Sequence, residues 1–493
     1  MTDLDYQSII IGAGISGIGS AINLEKYDLG SYSILESSDD IAGTWRTNRY
    51  PGVAVDIPSF AYQFSFEPNY KWSRMFAKGE EINSYIRFVA DKYQIKKHIK
   101  FNARVQEIMF DGEHDCWRVH LENGEVLCSR YLIAATGIFH RPIVPNIPGR
   151  ELFKGKVMHP AKWEQDYDYA GKKVGIIGTG ASAVQIIPTI APDVETLHVF
   201  QRTPIWIMPK DDRVFNESQQ RYFEDNHGKY HKVESKSRAR LNILWQLMLL
   251  APRLPFSDFI SSIPLKMHLK RQVRDPKTRE ALTPKYAFGC KRPAISNEYL
   301  SAFNRDNVNL ETKGIKEITE TGIIIKEGKH IALDFIIFST GYEATQKGNF
   351  PSFKVTGLDD IDLAEFWEKE GYQSYNGIAV PGFPNLFLTS GPFSFGLNWF
   401  DQLESNLILT MRVMTEAKNK SSTRITVNSI RHKKHYQNTL SRASKTLQVS
   451  PACAGSNSYY IDARGENSLP AVVTPKDRAK KVRNMDLGGF DLI

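Results

Sequence analysis

Short apolar runs alternate with helix-spaced apolar residues along most of this 493-residue chain, and that alternation predicts a parallel α/β architecture. Tyr6-Gln-Ser-Ile-Ile-Ile-Gly12 reads as a buried parallel strand, since its apolar positions run together. Residues 15–27 then place Ile15, Ile18, Ala21 and Ile22 at helical spacing with no proline, and Ser31-Tyr-Ser-Ile-Leu-Glu36 is the return strand. Lys173-Val-Gly-Ile-Ile-Gly178, a helix over about 181–190 and Thr196-Leu-His-Val-Phe200 repeat the unit.

Each unit carries a glycine-rich turn between strand and helix. The first is Gly12-Ala13-Gly14-Ile15-Ser16-Gly17, and the second is Gly178-Thr179-Gly180-Ala181-Ser182-Ala183. Such glycines permit a tight turn, approach of backbone N–H groups to a pyrophosphate, and close helix–strand packing. Glu36 follows Gly12, and Arg202 follows Gly178, at the same interval. An acid there accepts hydrogen bonds from ribose hydroxyls, whereas an arginine suits a 2′-phosphate. The first site is expected to hold FAD (or NAD) and the second NADPH.

Two further apolar strands end alike, at Tyr131-Leu-Ile-Ala-Ala-Thr-Gly137 and Phe335-Ile-Ile-Phe-Ser-Thr-Gly341, each closing one excursion of the chain. Arg141–Pro148 is a proline-rich, extended linker. Residues 211–285 break the α/β rhythm and read as helices covering part of the active site. Gly382–Leu388 is a strand, followed by an aromatic loop and a long helix over 401–417. The fold class is α/β, with two Rossmann-like dinucleotide-binding domains (FAD and NADP) and a helical insertion. The FAD-binding domain takes 1–141 and is completed by 336–493. The NADP-binding domain takes 150–210 and 286–335, around the insertion 211–285.

Composition agrees with a soluble globular chain of about three domains, at 41% apolar and 24% charged residues. The chain runs almost directly from Met1 into its first strand, so no signal peptide is expected. The longest apolar run, Leu241–Ala251, is too short to span a bilayer; a buried helix is expected, with weak membrane-surface contact as the other reading. Cys116, Cys128, Cys290 and Cys453 lie far apart with no Cys-x-x-Cys, which fits free, packed thiols in a reducing cytoplasm and argues against a flavin disulfide reductase. The histidines show no zinc spacing, so no metal is expected. The net charge of +8 suits a polyanion such as NADPH. The main basic cluster, Lys476–Arg483, reads as a solvated or cofactor-edge segment, and no nucleic-acid partner is expected.

Two segments go beyond nucleotide binding: Ala42-Gly-Thr-Trp-Arg-Thr-Asn-Arg-Tyr-Pro-Gly-Val-Ala-Val-Asp56 and Phe153-Lys-Gly-Lys-Val-Met-His-Pro-Ala-Lys-Trp163. Here the chain resembles the single-component, FAD- and NADPH-dependent Baeyer–Villiger monooxygenases, relatives of the flavin-containing monooxygenases. The first segment matches that family's flavin-domain signature through Gly43, Trp45, Tyr50, Pro51, Gly52 and Asp56. The second matches its linker signature at Phe153, Gly155, His159 and Trp163, and departs where Glu164 replaces the usual proline or aspartate.

The resemblance implies a reaction in which NADPH reduces FAD, dioxygen is captured, and one oxygen atom enters beside a ketone carbonyl to give an ester or lactone. The attacking oxygen must stay deprotonated, and the tetrahedral oxyanion needs a nearby cation, which an arginine supplies. By resemblance that arginine is Arg292, in Cys290-Lys-Arg-Pro293, with Asp56 orienting it. Thr44 and Trp45 would lie near the flavin. Arg202, Thr203 and Lys291, with Ser182 in the glycine turn, would hold NADPH. His159 and Trp163 would stabilise the linker. Phe393, Phe395, Trp399 and Phe400 fall near the family's substrate loop and suit an apolar ketone, or pack the following helix; Phe395 and Trp399 are the candidate pocket residues. Two alternatives stay open: a sulfur- or nitrogen-oxidising flavin-containing monooxygenase, in which the partner is a thioether, and a non-catalytic dinucleotide-binding protein.

Overall fold

A computed structural model describes residues 4–250, 257–344, 348, 349 and 351–493. The first sheet is built around Tyr6–Ile11, which pairs in parallel with Tyr32–Leu35 on one side and Val126–Ala134 on the other. Ile9 and Ile10 have no solvent exposure, so the run of apolar residues is covered on both faces. An antiparallel meander, Val105–Asp111 and Cys116–Leu121, extends the sheet beyond Val126–Ala134. Leu386–Leu388 joins the same strand, so the end of the chain returns to the first domain.

The second sheet is wholly parallel, in the order Val308–Glu311, Thr196–Phe200, Lys173–Ile177, Phe335–Phe338, Lys156–Met158. Its helix, Ala181–Ile190, buries Ala183, Val184, Ile186 and Ile187 against it. Phe335–Phe338 belongs entirely to this sheet. The expected boundary after residue 335 cuts that strand, and the return to the first domain falls beyond Phe338.

The expected strand over 382–388 shortens to Leu386–Leu388, because Gly382 and Asn385 hold positive φ on either side of Pro384. The long helix runs over Trp399–Asn419, started by Asn398, whose side chain accepts the Phe400 N–H. The insertion forms helices Glu217–Asp225, His227–Leu250, Ser257–Gln272 and Pro276–Ala281. Residues 251–256, including the end of the apolar run at Ala251, lie outside the described residues. The expected buried helix is only partly buried and leaves apolar residues in solvent. Tyr230, Trp245 and Met248 join the main core, whereas Ile243 and Leu247 are more than half exposed. Among the described residues no helix is long and apolar enough to cross a membrane.

Cys290 and Cys453, expected as separate packed thiols, form a disulfide across 163 residues; Cys116 and Cys128 are free. Spacing along the chain could not show this, because the two loops meet only after folding. The Ala287 N–H donates to the Ala452 carbonyl at 2.9 Å and Gln448 Nε2 to the Gly289 carbonyl at 3.0 Å, which brings the cysteine Cα atoms within 5.2 Å.

Candidate active site

The two glycine turns are built alike. Gly12 sits at φ +104° with the Ala135 carbonyl 2.8 Å from where a Cβ would stand, and Gly178 at φ +108° with the Ser339 carbonyl 2.3 Å away. Neither position accepts a side chain. The near-identical strand ends Ala-Thr-Gly137 and Ser-Thr-Gly341 therefore do the same job, each pressing on its own turn. Gly17 is equally constrained, since a Cβ would meet the Gly12 carbonyl at 1.8 Å. A Cβ on Gly180 would meet nothing within 4 Å, and one on Gly14 only Gly43, so both face open space.

That space is a cleft of about 1790 Å³ between the domains, lined by both turns. At its first end, Glu36 is held with Oε2 accepting the Ala13 N–H at 2.7 Å and Oε1 accepting Ser38 N–H and hydroxyl at 2.9 and 2.8 Å. At its second end Arg202 is exposed in the cleft beside half-buried Lys291 and Thr203. Burial, and then the Arg202 charge, pull the Lys291 ammonium down to about 8. Ser182, Thr44 and Trp45 also line the cleft, and the Trp45 indole donates to the Tyr62 hydroxyl at 3.1 Å.

Between the two ends, Arg292 meets Asp56. Nε donates to Oδ2 and Nη2 to Oδ1, both at 2.7 Å, while Nη1 donates to the Leu397 carbonyl at 3.1 Å. A guanidinium has five N–H donors, so two remain for a ligand in the cleft. Burial is the largest single influence and lowers the Arg292 pKa, but the Asp56 charge and hydrogen bonds together with Tyr459 and Tyr460 outweigh it and the net shift is upward. Arg292 is a fixed cation at any working pH.

The flavin-domain signature has a local physical reason. Gly52 is at φ +81°, and a Cβ there would lie 2.3 Å from Thr189 Oγ1 and 2.7 Å from the Gln185 carbonyl. The loop thus rests directly on helix Ala181–Ile190 of the other domain. Tyr50 donates to Gln185 Oε1 at 3.0 Å, and Gln185 Nε2 donates to the Ala54 carbonyl at 2.9 Å. This clamp between domains sets the stretch that ends at Asp56.

His159 lines the cleft with both ring nitrogens occupied: Nδ1 accepts the Ala161 N–H at 3.1 Å and Nε2 donates to the Gly341 carbonyl at 3.2 Å. Burial lowers its pKa, so the ring is neutral and braces one crossover against the other. The crossovers also pair directly, Ile143 N–H to Gly341 and Glu343 N–H to Arg141. Trp163 lies outside the cleft, edge-on to Phe335 at 5.9 Å.

The aromatic loop divides. Phe395 and Trp399 line the cleft, with the Trp399 indole donating to Ser16 Oγ at 3.0 Å. Phe393 and Phe400 do not; Phe400 is fully buried, edge-on to Phe64 at 4.8 Å and to Tyr62 at 5.0 Å. For these two the other expected reading, packing away from the pocket, is the one the structure shows: Phe400 sits at the helix start in the core and Phe393 is buried in the loop before it. Sequence reasoning missed Asn457, Ser458 and Tyr459, which form a far wall. Asn457 Nδ2 donates to Thr203 Oγ1 at 3.2 Å, and Tyr459 stands edge-on to Phe139 at 5.8 Å. Only the paired aromatics Tyr459-Tyr460 in a polar stretch marked them.

Two nucleotide turns and one ion pair meeting over a single cleft define a two-dinucleotide redox protein, and known proteins narrow the class. Residues 9–216 match the pyridine nucleotide-disulphide oxidoreductase family. A Baeyer–Villiger monooxygenase of Streptomyces coelicolor is 32% identical over 98% of this chain and 92% of its own. One of Pseudomonas aeruginosa is 37% identical over 78% and 72%. The crystal structure of OTEMO in complex with FAD and NADP superposes with a TM-score of 0.88 at 28% identity, covering both chains completely. The chain belongs to the Baeyer–Villiger monooxygenases. It is a flavin-dependent monooxygenase with two dinucleotide-binding domains.

Proposed function

We propose that this enzyme takes FAD at the Gly12 turn and NADPH at the Gly178 turn, and inserts oxygen beside the carbonyl of an apolar ketone. The observation that carries the reading is the Asp56–Arg292 pair, held on the wall of the cleft between the two turns. The residues present fit both nucleotides. Gly14 and Gly180 offer open backbone for a pyrophosphate, Glu36 is an acid for a ribose, and Arg202 with Lys291 is a cationic pocket for a 2′-phosphate.

Bound FAD supplies the oxygen activation and NADPH the hydride. The chain's own residues do the rest. Arg292 lines the cleft with two N–H groups uncommitted, and its charge would neutralise the negative charge that gathers on the substrate oxygen during attack on a ketone. Asp56 fixes the guanidinium plane by two parallel bonds and balances its charge, so the cation needs no rearrangement as the reaction proceeds. Arg292 cannot donate a proton, which keeps the attacking oxygen anionic and favours a carbonyl over a sulfur atom as its target. Phe395 and Trp399 present an apolar face to the substrate and exclude water.

The test is aerobic turnover of a ketone panel and one thioether with NADPH, with products identified by mass. Ester or lactone from a ketone is expected. Sulfoxide with no ester would overturn the ketone reading, and a colourless protein that consumes no NADPH would overturn both cofactor assignments.

A further inference from the structure

We propose that the Cys290–Cys453 disulfide is a positioning bond for oxygenation, tying the loop that carries Lys291 and Arg292 to the segment that forms the far wall of the cleft. The inference rests on the reading of Arg292 given above.

The bond is well placed for this. Cys290 is adjacent to Lys291 and two residues before Arg292, while Cys453 begins the stretch that reaches Asn457 and Tyr459. Both cysteines are buried, at 0% and 6% exposure, in an apolar cluster with Trp206, Leu265, Tyr286 and Leu447. Neither lines the cleft, so the bond does not meet substrate or flavin and is not the redox pair of a disulfide reductase. Without it, the near side of the far wall keeps its apolar packing around Tyr286 and Leu447 and the buried Tyr460, but its polar links to the Arg292 loop are few: Ala287 to Ala452, Gln448 to Gly289 and Asn457 to Thr203. Each contributes only about 1 kcal/mol net. Breaking the covalent tie frees Asn457 and Tyr459 to leave the cleft, admits water beside Arg292, and loosens the Lys291 side of the NADPH site.

The tie can be opened and closed chemically only by a two-electron exchange, and its burial means that opening must be confirmed by counting four thiols. A dithiol reductant delivers two electrons and two protons, giving two cysteine thiols and its own disulfide. Closure removes the same two electrons and protons; with hydrogen peroxide, two thiols and one peroxide give the disulfide and two waters. The enzyme is therefore expected to couple oxygen insertion best in its oxidised form.

The experiment counts thiols in air-purified wild-type protein by alkylation after unfolding, then compares it with Cys290→Ser, Cys453→Ser and the double variant. The readouts are KM for NADPH, followed by NADPH oxidation, and the fraction of NADPH oxidised that yields ester instead of hydrogen peroxide. Two free thiols are expected in wild type. Each variant is expected to raise KM and lower the ester fraction about tenfold or less, since displacements near 1 Å cost up to about a hundredfold. A second arm reduces wild type with dithiothreitol, removes the reagent, and re-closes the bond with peroxide; loss and recovery of coupling separates positioning from a folding defect. Four free thiols in wild type, or unchanged KM and ester fraction after reduction, would overturn the proposal. Wild type that makes no ester fails the functional reading instead, and the NADPH readout still decides the role of the disulfide.

Discussion

Arg292 and Asp56 share two parallel hydrogen bonds of 2.7 Å although 236 residues separate them, and the pair stands where the two domains meet. Its planar geometry makes a sharp demand on both partners. Arg292→Ala is expected to retain flavin reduction by NADPH but lose ester formation by a factor of about 10²–10³, the cost of one oxyanion donor. Arg292→Lys keeps the charge without the fork and is expected to recover little. Stopped-flow reduction together with product analysis checks both. Unchanged ester yield in Arg292→Ala would remove the assignment.

Arg202 faces the second turn across open space and is expected to read the extra phosphate of NADPH. Arg202→Ala is expected to raise KM for NADPH by about 10- to 100-fold, in line with about 1.5–3 kcal/mol for a charge-assisted bond. KM for NADH is expected to move little. Steady-state kinetics with both coenzymes gives the answer, and equal shifts would mean that Arg202 never meets the phosphate.

Lys291 gives a pH signature. Burial, then the neighbouring Arg202 charge, hold its ammonium at about 8. As pH rises through that value the free enzyme loses a positive charge, so KM for NADPH is expected to climb between about pH 7 and 9, by up to about tenfold if one contact of about 1.4 kcal/mol is lost. Below about pH 7 the Lys291 charge is present and contributes no further change, any rise in KM at about pH 6 belonging to protonation of the 2′-phosphate itself. NADH, which has no 2′-phosphate, is expected to show no such climb. A Lys291→Met variant that keeps the full pH dependence would assign it elsewhere.

Gly52 tests the clamp between domains. Gly52→Ala forces a Cβ against the Gln185 carbonyl at a positive φ, and is expected to cost about 1–3 kcal/mol and weaken the Tyr50–Gln185 contact. Gly124→Ala is the control, since it has a similar φ of +87° but nothing within 4 Å. Thermal unfolding of both is expected to show the larger drop for Gly52→Ala. Equal drops would mean that backbone strain alone accounts for the glycine.

Much of this molecule was legible before folding because strand and helix periods are local properties. Tyr6–Ile11, Ala181–Ile190 and Thr196–Phe200 are where continuous apolar runs and helical spacing put them, and both glycine turns with Glu36 and Arg202 face one cleft. Phe395 and Trp399, the candidate pocket residues read from sequence, line the cleft, whereas Phe393 and Phe400 are buried away from it. Why the four divide this way depends on how the loop before helix Trp399–Asn419 and the first turn of that helix pack, which no local pattern records.

What the sequence by itself determined was local: two glycine turns between strand and helix, and two strands that end alike at Gly137 and Gly341. Only the tertiary structure decided that those strand ends press on the turns, that Gly52 rests on the facing helix, that Cys290 bonds to Cys453, that Asn457 and Tyr459 wall the cleft, and by what two bonds Asp56, paired with Arg292 by resemblance alone, holds it. Those contacts join residues far apart along the chain, and no periodicity encodes them. They exist because two sheets, each burying its own apolar faces, leave their glycine turns opposed across a single gap.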